Sequence, residues 1–300
     1  MKLLSVSVDL DGLGCYAAIH GLGAHLDERA LRAVPVVALE RLCELFDELS
    51  IPATFFAIGR ELEEVPGAAE ALGRAALAGH EVASHSWSHD YALARSAPEA
   101  IALDLERAEK AIEAACGVAP RGFRAPGYTL SPALLAAVRG RGYLYDSSLL
   151  PSPAYYAAKA AAMALHALRG RKSASILGGP GQLFRSRRPH WIDGVRELPV
   201  ATLPLLRVPI IGTVLTAAPE RAAALLLRAA GAGGHVNLEL HGIDALDPGD
   251  GIPATVAAAQ AAARVPAARK LARLRGAIAA VKERAEAVTL EAAARKLLPG

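Results

Sequence analysis

The chain has 300 residues, 53% hydrophobic and 21% charged, with a formal net charge of +3. A composition this apolar argues against disorder and fits one large globular domain over residues 1–300. The mild charge and 5% aromatic content argue against a nucleic-acid binder, which needs basic stripes or stacking platforms.

Cys15, Cys43 and Cys116 are widely spaced and form no CxxC pair. This points to neither a zinc ribbon nor a disulfide framework and suits a reducing compartment. Asp9 and Asp11 interrupt the apolar start before a secretory leader forms, and no apolar run reaches the ~18 residues of a spanning helix. The expected location is the cytoplasm. The composition leaves self-association open.

Strand-like and helix-like segments alternate. Residues 3–8 read as strand, 32–49 as an amphipathic helix, 52–58 as strand, 68–78 as helix and 81–84 as strand. Residues 98–116 form a long helix with acid–base pairs on its polar face, and 121–124 a short strand. Ser131 is placed to cap a helix that has Pro132 first and runs through 133–139. Strands at 144–146 and 236–240 follow, then a helix over 265–285, a short strand at 287–289 and a last helix from 291. This alternation predicts an α/β fold with a parallel sheet, and the number of units predicts a barrel.

In such barrels chemistry sits at the C-terminal ends of strands. Asp9 and Asp11 end the first strand two residues apart, so both side chains leave the same face. The alternative is an Asp-Gly turn with a solvated acidic pair. His85 ends the 81–84 strand, and His89 follows four residues later. On a helical turn the two imidazoles would converge on one metal ion, zinc by default; two surface histidines are the alternative. Arg124, Asp146 and His241 end three further predicted strands. This convergence of polar residues at five strand ends favours a site.

In order, the chain carries Asp9-Leu10-Asp11, His85-Ser86-Trp87-Ser88-His89, Arg124-Ala125-Pro126, Asp146-Ser147-Ser148 and Leu238-Glu239-Leu240-His241. In these five motifs it resembles the polysaccharide deacetylase family, the NodB-homology group of carbohydrate esterases. The resemblance implies an incomplete, distorted (β/α) barrel that removes an acetyl or formyl group from an N-acylated amino sugar. It implies one divalent metal, zinc first, on Asp11, His85 and His89, a water whose pKa that metal lowers, Asp9 as base and His241 as acid. Arg124 would hold Asp9 and Asp146 would orient His241. A backbone N–H at Gly127 or Tyr128 would stabilise the oxyanion. Many relatives have an aromatic residue at the position of Gly127.

Among the other histidines, His20 is a candidate substrate contact in a loop that could cover the site. His80 reads as structural, and His25, His166 and His235 as outside the ligand set. Asp244, Asp247 and Asp250 read as turn formers.

Residues 150–195 read as an insertion. No Asp or Glu lies between Asp146 and Asp193, but Lys159, Arg169, Arg171, Lys172, Arg185, Arg187 and Arg188 do, beside an apolar helix-like run at 154–168. This fits either a peripheral contact with an anionic membrane surface or an Ala-rich helix packed on the barrel. It makes a phosphate- or lipid-linked sugar a plausible substrate. A small non-sugar amide and an inactive carbohydrate-binding relative are the rival readings; the intact motif set argues against the latter.

Overall fold

The computed structural model describes residues 2–23 and 25–299. Nine strands form one sheet: β1 (Leu3–Asp9), β2 (Thr54–Ala57), β3 (Glu81–Ser84), β4 (Gly122–Phe123), β5 (Tyr145–Asp146), β6 (His190–Ile192), β7 (Val195–Glu197), β8 (His235–His241) and β9 (Glu286–Ala287). Their order is β6-β7-β5-β4-β3-β2-β1-β8, with β9 also paired to β1. All pairs are parallel except the β6–β7 hairpin. The sheet curls into an incomplete, distorted (β/α) barrel.

Irregular chain bridges the gap between β7 and β8. Asn237 Nδ2 donates to the Leu198 carbonyl at 3.1 Å, Ala201 N to the Asn237 carbonyl at 3.0 Å, and Ile211 bridges to Glu239. A two-residue period sorts the strand side chains. On β1, Leu4, Val6 and Val8 join the apolar layer with Leu39, Leu42 and Phe46. Ser7, on the opposite face, donates to Asn237 Oδ1 at 2.9 Å inside the barrel. On β8, Val236, Leu238 and Leu240 join that layer, so Asn237, Glu239 and His241 share the other face.

The helix expected over 32–49 is observed in three parts, Glu28–Arg32, a wider π-type segment Ala33–Ala38, and Leu39–Glu48. Pro35, which has no N–H for the i−4 bond, lies in the wide segment. Ser131 caps the helix Pro132–Gly140, its Oγ accepting the Leu134 N–H at 3.2 Å. In the insertion, the helix Pro153–Leu168 is capped by Ser152, and Tyr156 is its buried residue. The β6–β7 hairpin and the helices Gly212–Ala217 and Glu220–Ala230 went unassigned in the sequence. Among the described residues no helix is long and apolar enough to cross a membrane.

Candidate active site

Asp9, Asp11, His85 and His241 line one pocket of about 330 Å³, together with His20, Tyr91, Gly127, Tyr128 and Lys159. Strand geometry positions most of them. β1 and β8 run in register, with Asp9 opposite His241.

His85 and His89 do not share a helical turn. The segment after β3 is an irregular loop, and two left-handed residues, Ser86 (φ 67°) and His89 (φ 52°), fold the second imidazole back onto the first. Such conformations are costly for non-glycine residues and persist where the surroundings over-determine them. Here Asp104 does so, from the helix Pro98–Cys116. Its carboxylate accepts the Trp87 N–H at 2.8 Å and the Ser88 N–H at 3.1 Å. Ser86 Oγ accepts the His89 N–H at 2.9 Å.

The donors of Asp11, His85 and His89 fit a cation. His85 Nδ1 lies 2.8 Å from the Arg124 carbonyl. A carbonyl only accepts, so Nδ1 carries the proton and Nε2 is left as the ligand atom. His85 Nε2 and His89 Nε2 lie 3.3 and 3.2 Å from Asp11 Oδ1. Asp11 Oδ1 and His89 Nε2 are nevertheless buried without a hydrogen-bond partner. These atoms therefore point at common space rather than at each other. Atoms held ~2.0–2.1 Å from one tetrahedral ion lie about this far apart. Burial alone would raise the Asp11 carboxyl, but His89 and His85 hold it well below the usual carboxylate range.

Asp9 faces the same space. Its Oδ2 is 3.7 Å from His85 Nε2, and its Oδ1 accepts from Arg124 Nη1 at 2.5 Å. Arg124 is fully buried with its donors matched: Nε to the Ser147 carbonyl at 2.9 Å, Nη2 to Ser7 Oγ at 3.0 Å and Ser147 Oγ at 2.9 Å. Burial pushes the Asp9 carboxyl up, and the guanidinium and His85 more than offset this, leaving it below its ordinary value.

Asp146 does not meet the role of orienting His241. Its carboxylate accepts from Ser148 Oγ at 2.6 Å and Ser148 N at 3.2 Å, and it faces Glu197, whose acid form burial and Asp146 both favour. Asp244 is the carboxylate that bonds His241. It accepts the His241 backbone N–H at 3.0 Å, and the His241 ring lies against the Asp244 N–H. Asp244 is buried in a tight turn that its carboxylate closes, in keeping with its reading as a turn former. Burial alone would lower the His241 pKa, but Glu239, Asp11 and Asp9 raise it to about 8.

Glu239 was missed in the sequence. It is buried beside Asp9 and His241, their ligand-type atoms lying within 4.8 Å of one another. Oε1 accepts the Tyr128 hydroxyl at 2.7 Å and lies 3.6 Å from Arg124 Nη1. Its spacing of two from His241 on a predicted strand was the available signal. Glu61 was missed as well. Burial and then Asp11 raise it to about 8, and it receives the Gly12 N–H. A Cβ at Gly12 would meet Glu61 Oε1 at 2.1 Å, so this brace on the Asp11 loop needs glycine.

Gly127 and Tyr128 are both left-handed, φ 63° and 61°. Of the two candidate oxyanion donors, the Tyr128 N–H is taken by the Ala125 carbonyl at 3.1 Å, which leaves Gly127. A Cβ at Gly127 would meet the Tyr91 ring at 2.7 Å, so Tyr91 builds the wall there. His20 lines the same pocket, its Nδ1 3.4 Å from His166 Nε2 and its Nε2 3.2 Å from Gln260 Oε1.

Residues 33–145 match the polysaccharide deacetylase family. The match includes His85, His89 and Arg124; Asp9, Asp11, Asp146 and His241 lie outside it. Over 150 residues the chain is 31% identical to a peptidoglycan deacetylase of Helicobacter pylori, covering 49% of this chain and 50% of that protein. It is 34% identical over 102 residues to a chitooligosaccharide deacetylase of Azorhizobium caulinodans, covering 34% and 47%. The chain thus spans half or less of these relatives. A Mycobacterium smegmatis structure, described provisionally as a polysaccharide deacetylase, superposes with a TM-score of 0.61 at 20% identity, covering 98% of this chain and 89% of that one. A family 4 acetyl xylan esterase from Clostridium thermocellum, solved with a cobalt ion, gives 0.51 at 17%, covering 99% and 91%. At these identities the structures speak for the fold. Residues 33–145 are thus similar to the polysaccharide deacetylase family, and the fold of these solved structures extends across the chain.

Proposed function

We propose that this protein is a metal-dependent hydrolase that removes an acetyl or formyl group from the nitrogen of an amino sugar. One observation carries the reading. Asp11, His85 and His89 turn their donor atoms into one buried space, flanked by a carboxylate, Asp9, and an imidazole, His241. A divalent ion there, zinc first by its nitrogen and oxygen donors, would lower the pKa of a water and polarise the amide carbonyl.

The chain's own groups do the rest. Asp9, ionised and fixed by Arg124, takes a proton from the attacking water. The Gly127 N–H donates to the oxygen that gains charge. His241, kept protonated near neutral pH by the surrounding carboxylates, gives a proton to the departing amine. Asp244 braces the backbone that carries His241.

The substrate belongs to the same proposal. The helix Pro153–Leu168 forms one side of the pocket, Ala157, Ala161 and Ala164 on it are exposed, and Arg169, Arg171 and Lys172 follow. This favours a phosphate- or lipid-linked amino sugar met at the inner face of a membrane, and with it a cytoplasmic enzyme formed by a single domain over residues 1–300.

The test is to measure bound metal in the purified protein and then acetate or formate release from N-acetyl and N-formyl amino sugars. Release should need the metal and should stop in Asp9→Asn. Metal-independent release, or none from any N-acyl sugar with metal bound, would overturn the reading.

A further inference from the structure

Lys159 is a cation in the pocket that makes no ion pair among the described residues. It lies in the helix Pro153–Leu168 and lines the same cavity as Asp9, Asp11 and His241. Its Nζ donates to the Gly127 carbonyl at 3.2 Å and lies 5.9 Å from the centre of the Tyr155 ring. No carboxylate among the described residues comes within 4.0 Å of it. Burial alone moves its pKa, down to about 8, with no protein charge contributing.

An ammonium carries three N–H donors. One is used, on a carbonyl that needs no charged partner. Its neighbours along the same helix face, Ala158, Ala162 and Met163, line the pocket and offer no anion. A half-buried charge left unpaired is costly, and the cost falls when a ligand brings the opposite charge. The helix that carries it has no acidic residue, nor has any position from 147 to 192. The Gly127 carbonyl anchors Nζ beside the backbone that faces the reacting amide, so the charge reads a group on the sugar itself.

Resting on the deacylase reading, we propose that Lys159 is a specificity-determining residue that selects N-acyl amino sugars bearing an anionic oxygen group, a phosphate or a carboxylate. It contacts that group directly, as a point charge with two free donors. Arg124 is enclosed by its own partners and contributes nothing to this contact.

The experiment compares metal-loaded protein on N-acetylglucosamine, N-acetylglucosamine 1-phosphate and N-acetylmuramic acid. The last two distinguish a phosphate from a carboxylate source. At least one should exceed the neutral sugar tenfold or more in kcat/KM. Lys159→Met should bring that ratio to within about twofold of one, Lys159→Arg should restore part of it, and raising NaCl from 0.05 to 0.5 M should shrink it. A wild-type ratio near one, or a ratio unchanged in Lys159→Met, overturns the proposal. If no sugar is turned over, the deacylase reading fails by itself. Calorimetric binding of the same three sugars to the Asp9→Asn protein then decides Lys159 separately. Tighter binding of an anionic sugar that is lost in Asp9→Asn/Lys159→Met supports it; equal binding, or none, overturns it.

Discussion

Asp9 and His241 stand opposite each other on neighbouring strands, and their roles separate by environment. Removing either should cost on the order of 10²-fold or more in turnover. Asp9→Asn and His241→Ala, assayed with metal content checked, should both show this, and a near-normal rate in either would show that the assigned roles are wrong. Asp244 and Asp146 give a sharper contrast. Asp244 touches His241 and Asp146 does not, so Asp244→Ala should lower kcat about tenfold with KM little changed, the scale of one lost hydrogen bond of ~1.4 kcal/mol. Asp146→Asn should act mainly on stability, because its partners are Ser148 and Glu197. Equal losses of kcat in the two variants would restore Asp146 as the residue that orients His241.

At the level of elements, the loop 85–89 depends on the helix beneath it. Asp104 is the buried carboxylate of Pro98–Cys116, and it holds two N–H groups of a loop with two left-handed residues. Asp104→Ala should therefore weaken metal binding by about 10–100-fold, as loss of outer support for ligands does; unchanged affinity by competition with a chelating dye would show that the loop holds its shape unaided. A second link joins the helix Ala267–Lys282 to the turn after β8. Lys270 Nζ, fully buried, donates to the Ile243 and Ala262 carbonyls at 2.7 and 2.9 Å. Burial lowers its pKa to about 8, below the ~10.4 of an unfolded lysine. Between these values the folded chain binds fewer protons, so this group's contribution to stability rises with pH across that window. Urea unfolding should then show wild type gaining on Lys270→Met between pH 8 and 10; a pH-independent difference would mean the ammonium is solvated. Periodicity made the strands and long helices legible, and the strand-end rule brought out Asp9, His85, Arg124 and His241. Asp104 was not legible, because its role is to accept backbone N–H groups of a loop whose path only the fold defines. Pro35 marked the wide segment at Ala33–Ala38, but a proline inside a helical pattern does not say whether the chain will kink, stop or widen.

At the scale of the whole molecule, the uneven distribution of charge and apolar surface is the remaining physical feature. Net charge is only +3, yet seven basic residues and no acid fall between Asp146 and Asp193. The helix Pro153–Leu168 has one buried residue, Tyr156. Leu165 and Leu168 are 45% and 85% exposed, and Arg169, Arg171 and Lys172 follow directly. An apolar helix with cations at its end can rest in the boundary of an anionic bilayer, each cation near the surface worth about 1 kcal/mol and screened within a Debye length. Because the opposite side of this helix lines the pocket, such contact would hold the pocket mouth close to a membrane-borne substrate. Sedimentation with vesicles containing phosphatidylserine should retain the protein at low salt, release it at high salt, and retain little on neutral vesicles. Substituting Arg169, Arg171 and Lys172 by Ala should weaken retention by one to two orders of magnitude, while Leu168→Asp should weaken it at every salt concentration. Equal, negligible sedimentation with both vesicle types would leave this helix as a wall of the pocket and nothing more.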